Sequence, residues 1–197
     1  MGAKALILGG ARSGKSAMGE RLASAIAAKR GVKKVYVATA QRAWAGRVDP
    51  EFAARIDIHR ADRGPDWTTV EAPEEMPAAL LSEIDPSQVV LVDCLTLWLS
   101  NRMMAVPDDG ATYDGTSDTD ALLEALAARA APTLLVSNEV GHGLIPDTPL
   151  GRRFRDAQGR LNQRVAAAAD LAVLTVAGLP MVLKGDLERW GTGGDQL

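Results

Sequence analysis

The sequence predicts an α/β fold: an open, mostly parallel sheet with helices on its faces. Three observations carry this. Short runs rich in Val, Ile and Leu recur along all 197 residues. Most are continuously apolar rather than alternating, as strands covered on both faces are. Helix-length amphipathic stretches separate them, the pattern of repeated strand–helix units with right-handed crossovers. Strands are expected at 4–8, 34–39, 68–71, 88–93, 133–137 and 171–176, with a short last one at 181–184. Helices are expected at 15–29, 51–60, 95–104, 119–130 and 150–169. The stretch 106–118 is polar, acidic and Gly-rich, so it reads as a long exposed loop. One domain is expected over 1–186, and Gly191, Gly193 and Gly194 predict a frayed tail over 187–197.

Composition narrows the function. The chain is 47% hydrophobic and 24% charged, which excludes disorder and collagen-like repeats. Its 22 basic against 25 acidic residues give a net charge of -3, so no nucleic-acid partner is expected. No apolar run approaches the ~20 residues of a membrane span. The sequence enters its first strand without a signal peptide's layout, so a soluble, cytoplasmic protein is expected. Cys94 is the only cysteine, which excludes an internal disulfide and a multi-cysteine zinc site.

The strongest local signal is Gly9-Gly10-Ala11-Arg12-Ser13-Gly14-Lys15-Ser16, a match to G-x-x-x-x-G-K-[ST]. The apolar run at 5–8 enters it and a good helix former leaves it, the strand–loop–helix setting of a P-loop. Glycines let backbone N–H groups converge on phosphate oxygens, and the helix N-terminus adds its positive dipole end. Lys15 is then placed for the β- and γ-phosphates and the Ser16 hydroxyl for Mg²⁺. A carboxylate partner for that ion is expected at the carboxyl end of another buried strand, where Asp93 follows four apolar residues. The alternative for Asp93 is to cap the helix that begins after it. A nucleoside-triphosphate enzyme acting on a small molecule fits better than a GTPase switch, because the guanine-reading N-K-x-D is missing.

Only two histidines occur, His59 and His142. His59 shares a predicted helix face with Arg55, and Arg60 and Arg63 follow it. It also borders the apolar stripe of Phe52 and Ile56, so periodicity leaves two readings open: a packed structural histidine, or a nucleophile forming a phosphoramidate. Glu139, after the strand at 133–137, is either a general base or a turn cap. Arg153, Arg160 and Arg164 on the last long helix form either a solvated face of ion pairs or a phosphate-facing row.

Six segments in this order, GGARSGKS, YVAT, Arg55-Ile56 with His59-Arg60, WTTVE, SNEVG and FRDAQGRLNQRVAAAAD, resemble the bifunctional adenosylcobinamide kinase / adenosylcobinamide-phosphate guanylyltransferase family of cobalamin synthesis. The resemblance implies a RecA-like P-loop NTPase fold and two activities. In the first, ATP or GTP phosphorylates the aminopropanol hydroxyl of adenosylcobinamide; in the second, GMP passes from GTP to that phosphate through a guanylylated histidine. By the same resemblance, His59 and Lys15 are catalytic. Nucleotide contacts fall on the P-loop, on Ala38, Thr39 and Ala40, on Arg60, Ala61, Asp62 and Arg63, and on Glu71 and Asp93; Ser16 and Asp93 hold Mg²⁺. A homotrimer is also implied. Three departures are visible: residues 41–49 form a longer segment than in some relatives, His142 stands where relatives carry Met or Leu, and the acidic loop at 106–118 has no counterpart in them. A P-loop kinase of another small molecule, with His59 structural, and a nucleotide-dependent regulatory module are the competing readings.

Overall fold

In the computed structural model, residues 2–41, 43–44, 47–48, 50–106 and 113–190 are described, the side chains of 43–44, 47–48, 52, 55 and 59–62 excepted. Seven strands form one sheet: β1 (Lys4–Gly9), β2 (Lys34–Ala38), β5 (Trp67–Glu71), β6 (Val89–Asp93), β7 (Thr133–Asn138), β8 (Leu171–Val176) and β9 (Leu179–Lys184). A separate two-stranded ribbon, β3 (Ala43–Trp44) and β4 (Arg47–Val48), precedes the second helix. The sheet order is β5-β2-β6-β7-β1-β8-β9, and every pair is parallel except β8 with β9. The expected α/β architecture is therefore the observed one.

Alternation along the strands divides the core into two layers. On one face Leu6, Val35, Val37, Val90, Val92 and Leu135 meet α3 (Met76–Ser82), α4 (Leu95–Ala105), α5 (Thr116–Ala128) and α6 (Pro149–Ala168). On the other, Ala5, Ile7, Tyr36, Val89, Leu91, Leu134 and Val136 meet α1 (Lys15–Arg30). Helices on both faces explain why the strand sequences are apolar throughout. The helix α2 spans Pro50–Arg63, three residues beyond its predicted end.

Three expectations change. The tail is ordered further than its glycines indicate: Leu187 and Trp190, at the ends of the turn that holds the 3₁₀ helix Glu188–Trp190, are buried against the α1 layer, while 191–197 lie outside the described residues. A Trp removed from water outweighs the local entropy of a flexible segment. The loop at 106–118 is shorter, because α5 starts at Thr116 and Tyr113 already bonds Asp118 through its hydroxyl; 107–112 lie outside the described residues. The short α3 was not expected from the sequence. Its buried Met76, Ala79 and Leu80 make one and a half turns beneath α5, and Arg129 donates to the Leu80 carbonyl at 2.8 Å.

Candidate active site

Parallel pairing delivers β1, β2, β6 and β7 to one sheet edge with their carboxyl ends together, and the loops there enclose a cavity of about 700 Å³. The P-loop forms one wall. It leaves β1 at Gly9, where an added Cβ would lie 2.3 Å from Ser13 Oγ and 2.8 Å from the Thr175 carbonyl. Gly14 caps α1 with φ +93°, a conformation glycine adopts without a Cβ penalty. The turn after β8 braces the loop from outside, with Gly178 N donating to the Ser13 carbonyl at 2.9 Å. Ala11, Arg12, Ser13, Gly14, Lys15 and Ser16 line the cavity, whereas Gly9 and Gly10 shape the loop behind it. Lys15 Nζ donates to the Gly10 carbonyl at 3.0 Å, folding its ammonium back over the loop it serves.

The opposite wall comes from β2, β6 and α2. Asp93 ends β6 and lines the cavity. It does not cap the following helix: Cys94 occupies that position and makes no side-chain cap bond. Tyr36, only 6% exposed, donates its hydroxyl to Asp93 Oδ2 at 3.0 Å. Burial foremost, with the adjacent carboxylate, pushes the phenol of Tyr36 far up, so its proton stays on. Arg63 stacks over that ring, its guanidinium carbon 3.5 Å from the centroid, and its buried Nε has no hydrogen-bond partner. Ile56, Ile58 and Arg63 bring α2 to the cavity. His59, Arg60, Ala61 and Asp62 belong to this helix, but their side chains lie outside the described residues.

Of the segment after β2, Ala38 and Ala40 line the cavity and Thr39 does not. Thr39 is fully buried; its Oγ1 donates to the Cys94 carbonyl and accepts from the Cys94 amide, both at 2.7 Å. Asn101 Nδ2 donates to the Thr39 and Pro73 carbonyls at 2.8 and 2.9 Å. This interlock fixes the backbone directly after Asp93. Burial first, and then Asp93, pushes the Cys94 thiol up to about 12, so it is a packed apolar group and not a nucleophile. Glu71 ends β5, exposed and outside the cavity lining.

At the end of β7, Asn138 lines the cavity and is a site residue that sequence reasoning missed. Behind it Ser137, Gln158 and Asn162 form a buried set: Ser137 donates to Asn162 at 2.7 Å, and Gln158 donates to both at 3.0 and 2.9 Å. Glu139 Oε1 accepts from Gly141 N at 2.7 Å, which is the turn-cap reading. Arg164 pairs with Asp120 and Arg160 reaches the Asp114 carbonyl, so both serve the α5–α6 surface rather than phosphate. His142 is exposed.

With this geometry in hand, three comparisons bear on the chain. The family model described as cobinamide kinase / cobinamide phosphate guanyltransferase matches residues 5–183. The bifunctional adenosylcobalamin biosynthesis protein CobP of Pseudomonas aeruginosa is 47% identical over 181 residues, covering 92% of this chain and 97% of that one. The bifunctional adenosylcobalamin biosynthesis protein CobU of Escherichia coli K12 is 35% identical over 195 residues, covering 91% and 98%. In structure, the flagellar accessory protein FlaH of Methanocaldococcus jannaschii superposes with a TM-score of 0.51 at 13% identity, over 94% of this chain and 79% of that one, a likeness of fold alone.

Proposed function

The chain belongs to the cobinamide kinase / cobinamide phosphate guanyltransferase family, and we propose that both reactions run in its one P-loop cavity, with His59 as the covalent carrier of the second. One observation carries this reading: the cavity lined by Lys15, Ser16 and Asp93 is also lined by α2, the helix of His59.

In the first step the aminopropanol hydroxyl of adenosylcobinamide attacks the γ-phosphorus of ATP or GTP. The nucleoside diphosphate leaves and the hydroxyl proton passes to water. The loop amides and Lys15 hold the phosphates, Lys15 exchanging the Gly10 carbonyl for a phosphate oxygen. In the second step a ring nitrogen of His59 attacks the α-phosphorus of GTP and pyrophosphate leaves. The phosphate of adenosylcobinamide phosphate then attacks the same phosphorus, the N–P bond breaks, and adenosylcobinamide-GDP forms with His59 restored. Arg12 and Arg63, both in the cavity wall, neutralise charge on the phosphates. Ala38 and Ala40 shape the nucleotide pocket, Thr39 supports it from behind, and Arg60, Ala61 and Asp62 complete the nucleotide contacts, whereas Glu71, outside the cavity lining, is not placed among them.

The donor set fits Mg²⁺. A hydroxyl and a carboxylate on one cavity, with no cluster of three or more His, Cys, Asp or Glu side chains among the described residues, suit an ion that keeps waters and takes phosphate oxygens. When bound, the ion neutralises the β- and γ-phosphate oxygens. Ser16 and Asp93 would hold it, Tyr36 engaging only Oδ2 of the carboxylate.

Assembly as a homotrimer is part of this reading. Leu179, Met181, Val182 and Leu183 on the edge strand β9 are each more than two-fifths exposed, an apolar row that association would cover. Light scattering on the purified protein tests it; a mass of one subunit would refute it. No helix among the described residues is long and apolar enough to cross a membrane, and we place the enzyme in the cytoplasm with its nucleotide substrates.

The deciding experiment incubates the protein with Mg²⁺ and GTP labelled at the α-phosphate, then denatures it. The expected label is stable to alkali, lost in mild acid, absent from His59→Ala and present in His142→Ala. Unlabelled protein that still binds GTP would remove the transferase step and leave a kinase.

A further inference from the structure

We propose that Tyr36 is a positioning residue that joins the two halves of the chemistry, its hydroxyl fixing the Asp93 carboxylate and its ring fixing Arg63 at the end of the His59 helix. The proposal rests on the roles given above to Asp93 and His59.

Tyr36 sits in the middle of β2, opposite Leu91 of β6 and Thr69 of β5. Its side chain lies in the α1 layer of the core, yet it reaches the cavity. Ala38, two residues on, is the register partner of Asp93, so the phenol runs along the strands toward their carboxyl ends and meets Oδ2 there. A strand-end carboxylate has two side-chain torsions, and this 3.0 Å bond selects one orientation. Burying a phenol in an apolar layer is costly unless its hydroxyl is bonded. Phenylalanine would fill the same space without that requirement, so the hydroxyl has one evident use, which is Asp93.

The ring has a second partner. Trp67 stands edge-on to it, with centroids 6.0 Å apart at 89°, and Lys34 Nζ lies 4.8 Å over Trp67. Arg63 lies over the Tyr36 ring. Stacking holds a guanidinium in place without consuming its donors, and Nε is buried without a partner. A phosphate oxygen is the group that the unpartnered Nε of an oriented guanidinium in a P-loop cavity would take. Arg63 is the last residue of α2, one turn beyond His59, so the orientation of this ring sets where the end of that helix stands relative to the P-loop. One side chain thereby touches the metal-side carboxylate and the transferase helix.

The two contacts separate by mutation. Tyr36→Phe keeps the ring and loses the hydroxyl. Binding of a fluorescent GTP analogue without metal should stay at the wild-type level. The Mg²⁺ concentration that half-maximally enhances that binding should rise about tenfold, the scale of one bond to a charged group. At saturating Mg²⁺ its His59 should still be labelled from α-labelled GTP. Tyr36→Leu removes the ring as well and should also slow that labelling about tenfold at saturating GTP and Mg²⁺. Arg63→Lys, which keeps the charge but not the stack, should reproduce the slow labelling without the Mg²⁺ shift. Unchanged Mg²⁺ dependence in Tyr36→Phe overturns the first contact. Wild-type labelling rates in both Tyr36→Leu and Arg63→Lys overturn the second. A parallel decline of every readout with melting temperature in all three variants reduces Tyr36 to a core residue and overturns the proposal. If wild-type protein takes no label on His59, it is the underlying assignment that fails, and the Mg²⁺ shift of Tyr36→Phe still reports on Asp93.

Discussion

Thr39 has a hydroxyl that does no chemistry and still decides where the chemistry sits. It satisfies both main-chain polar groups of Cys94, and Asp93 is the residue before. Thr39→Val leaves the buried Cys94 N–H without that partner, while the Cys94 carbonyl still accepts from Trp98 N at 3.2 Å; the cost is about 1–3 kcal/mol. We expect a melting temperature lowered accordingly and a kcat reduced more than KM, with Thr39→Ser retaining most of both; calorimetry and steady-state kinetics check this. Gly9 is the stricter position, because part of its obstruction is the Thr175 main chain, which cannot rotate away. Gly9→Ala should weaken nucleotide binding at least tenfold, measurable by equilibrium titration. At this scale the sequence was informative where a residue acts through its neighbours in the chain. The P-loop is legible because eight consecutive residues make it. Thr39, Asn101 and Tyr36 act on partners 55, 62 and 57 positions away, and no local pattern records such a pair. Asn138 belongs to the SNEVG segment, but nothing local in that segment says that its side chain lines the cavity.

Among the elements, the long strands and helices are visible in the sequence because period and burial agree. The short ones are hidden, each for its own reason. The helix α3 has seven residues and carries Pro77 in its first turn, too little for a periodicity to register. The turn at Leu187–Trp190 is concealed by the glycines beyond it, although Trp190 is only 8% exposed. Trp190→Ala should lower stability by about 3–5 kcal/mol, as for other buried tryptophans, with little effect on substrate affinity; denaturant unfolding tests it, and an unchanged midpoint would contradict the packing. Gly185 ends the β8–β9 hairpin at φ +81°, where an added Cβ would lie 2.1 Å from the Asp170 carbonyl. Gly185→Ala should therefore destabilise the hairpin by about 2 kcal/mol or more, read as faster amide exchange across Leu179–Lys184 than across β1.

For the molecule as a whole, the only thiol reports opening. Cys94 is 6% exposed and its thiol is pushed up to about 12, so at pH 8 the native protein should resist maleimide and label only when the core opens. GTP at about 100 times its dissociation constant should slow that labelling about a hundredfold by linkage; protection absent at saturating GTP would mean that the cavity lies outside the opening unit. The fold class is legible because alternating strand and helix segments admit few arrangements, whereas the strand order depends on pairings far apart in sequence. That order also has a temporal consequence. The P-loop is complete by Ser16, but its strand β1 is flanked by β7 and β8, whose partners reach Asn138 and Thr175. On a translating ribosome the site is therefore made long before the strands that flank it. At about 5–20 residues per second, the gap is roughly six to thirty seconds. Until then the nascent chain has a phosphate loop without its flanking strands, and nucleotide cannot assist its folding before β7 and β8 have emerged.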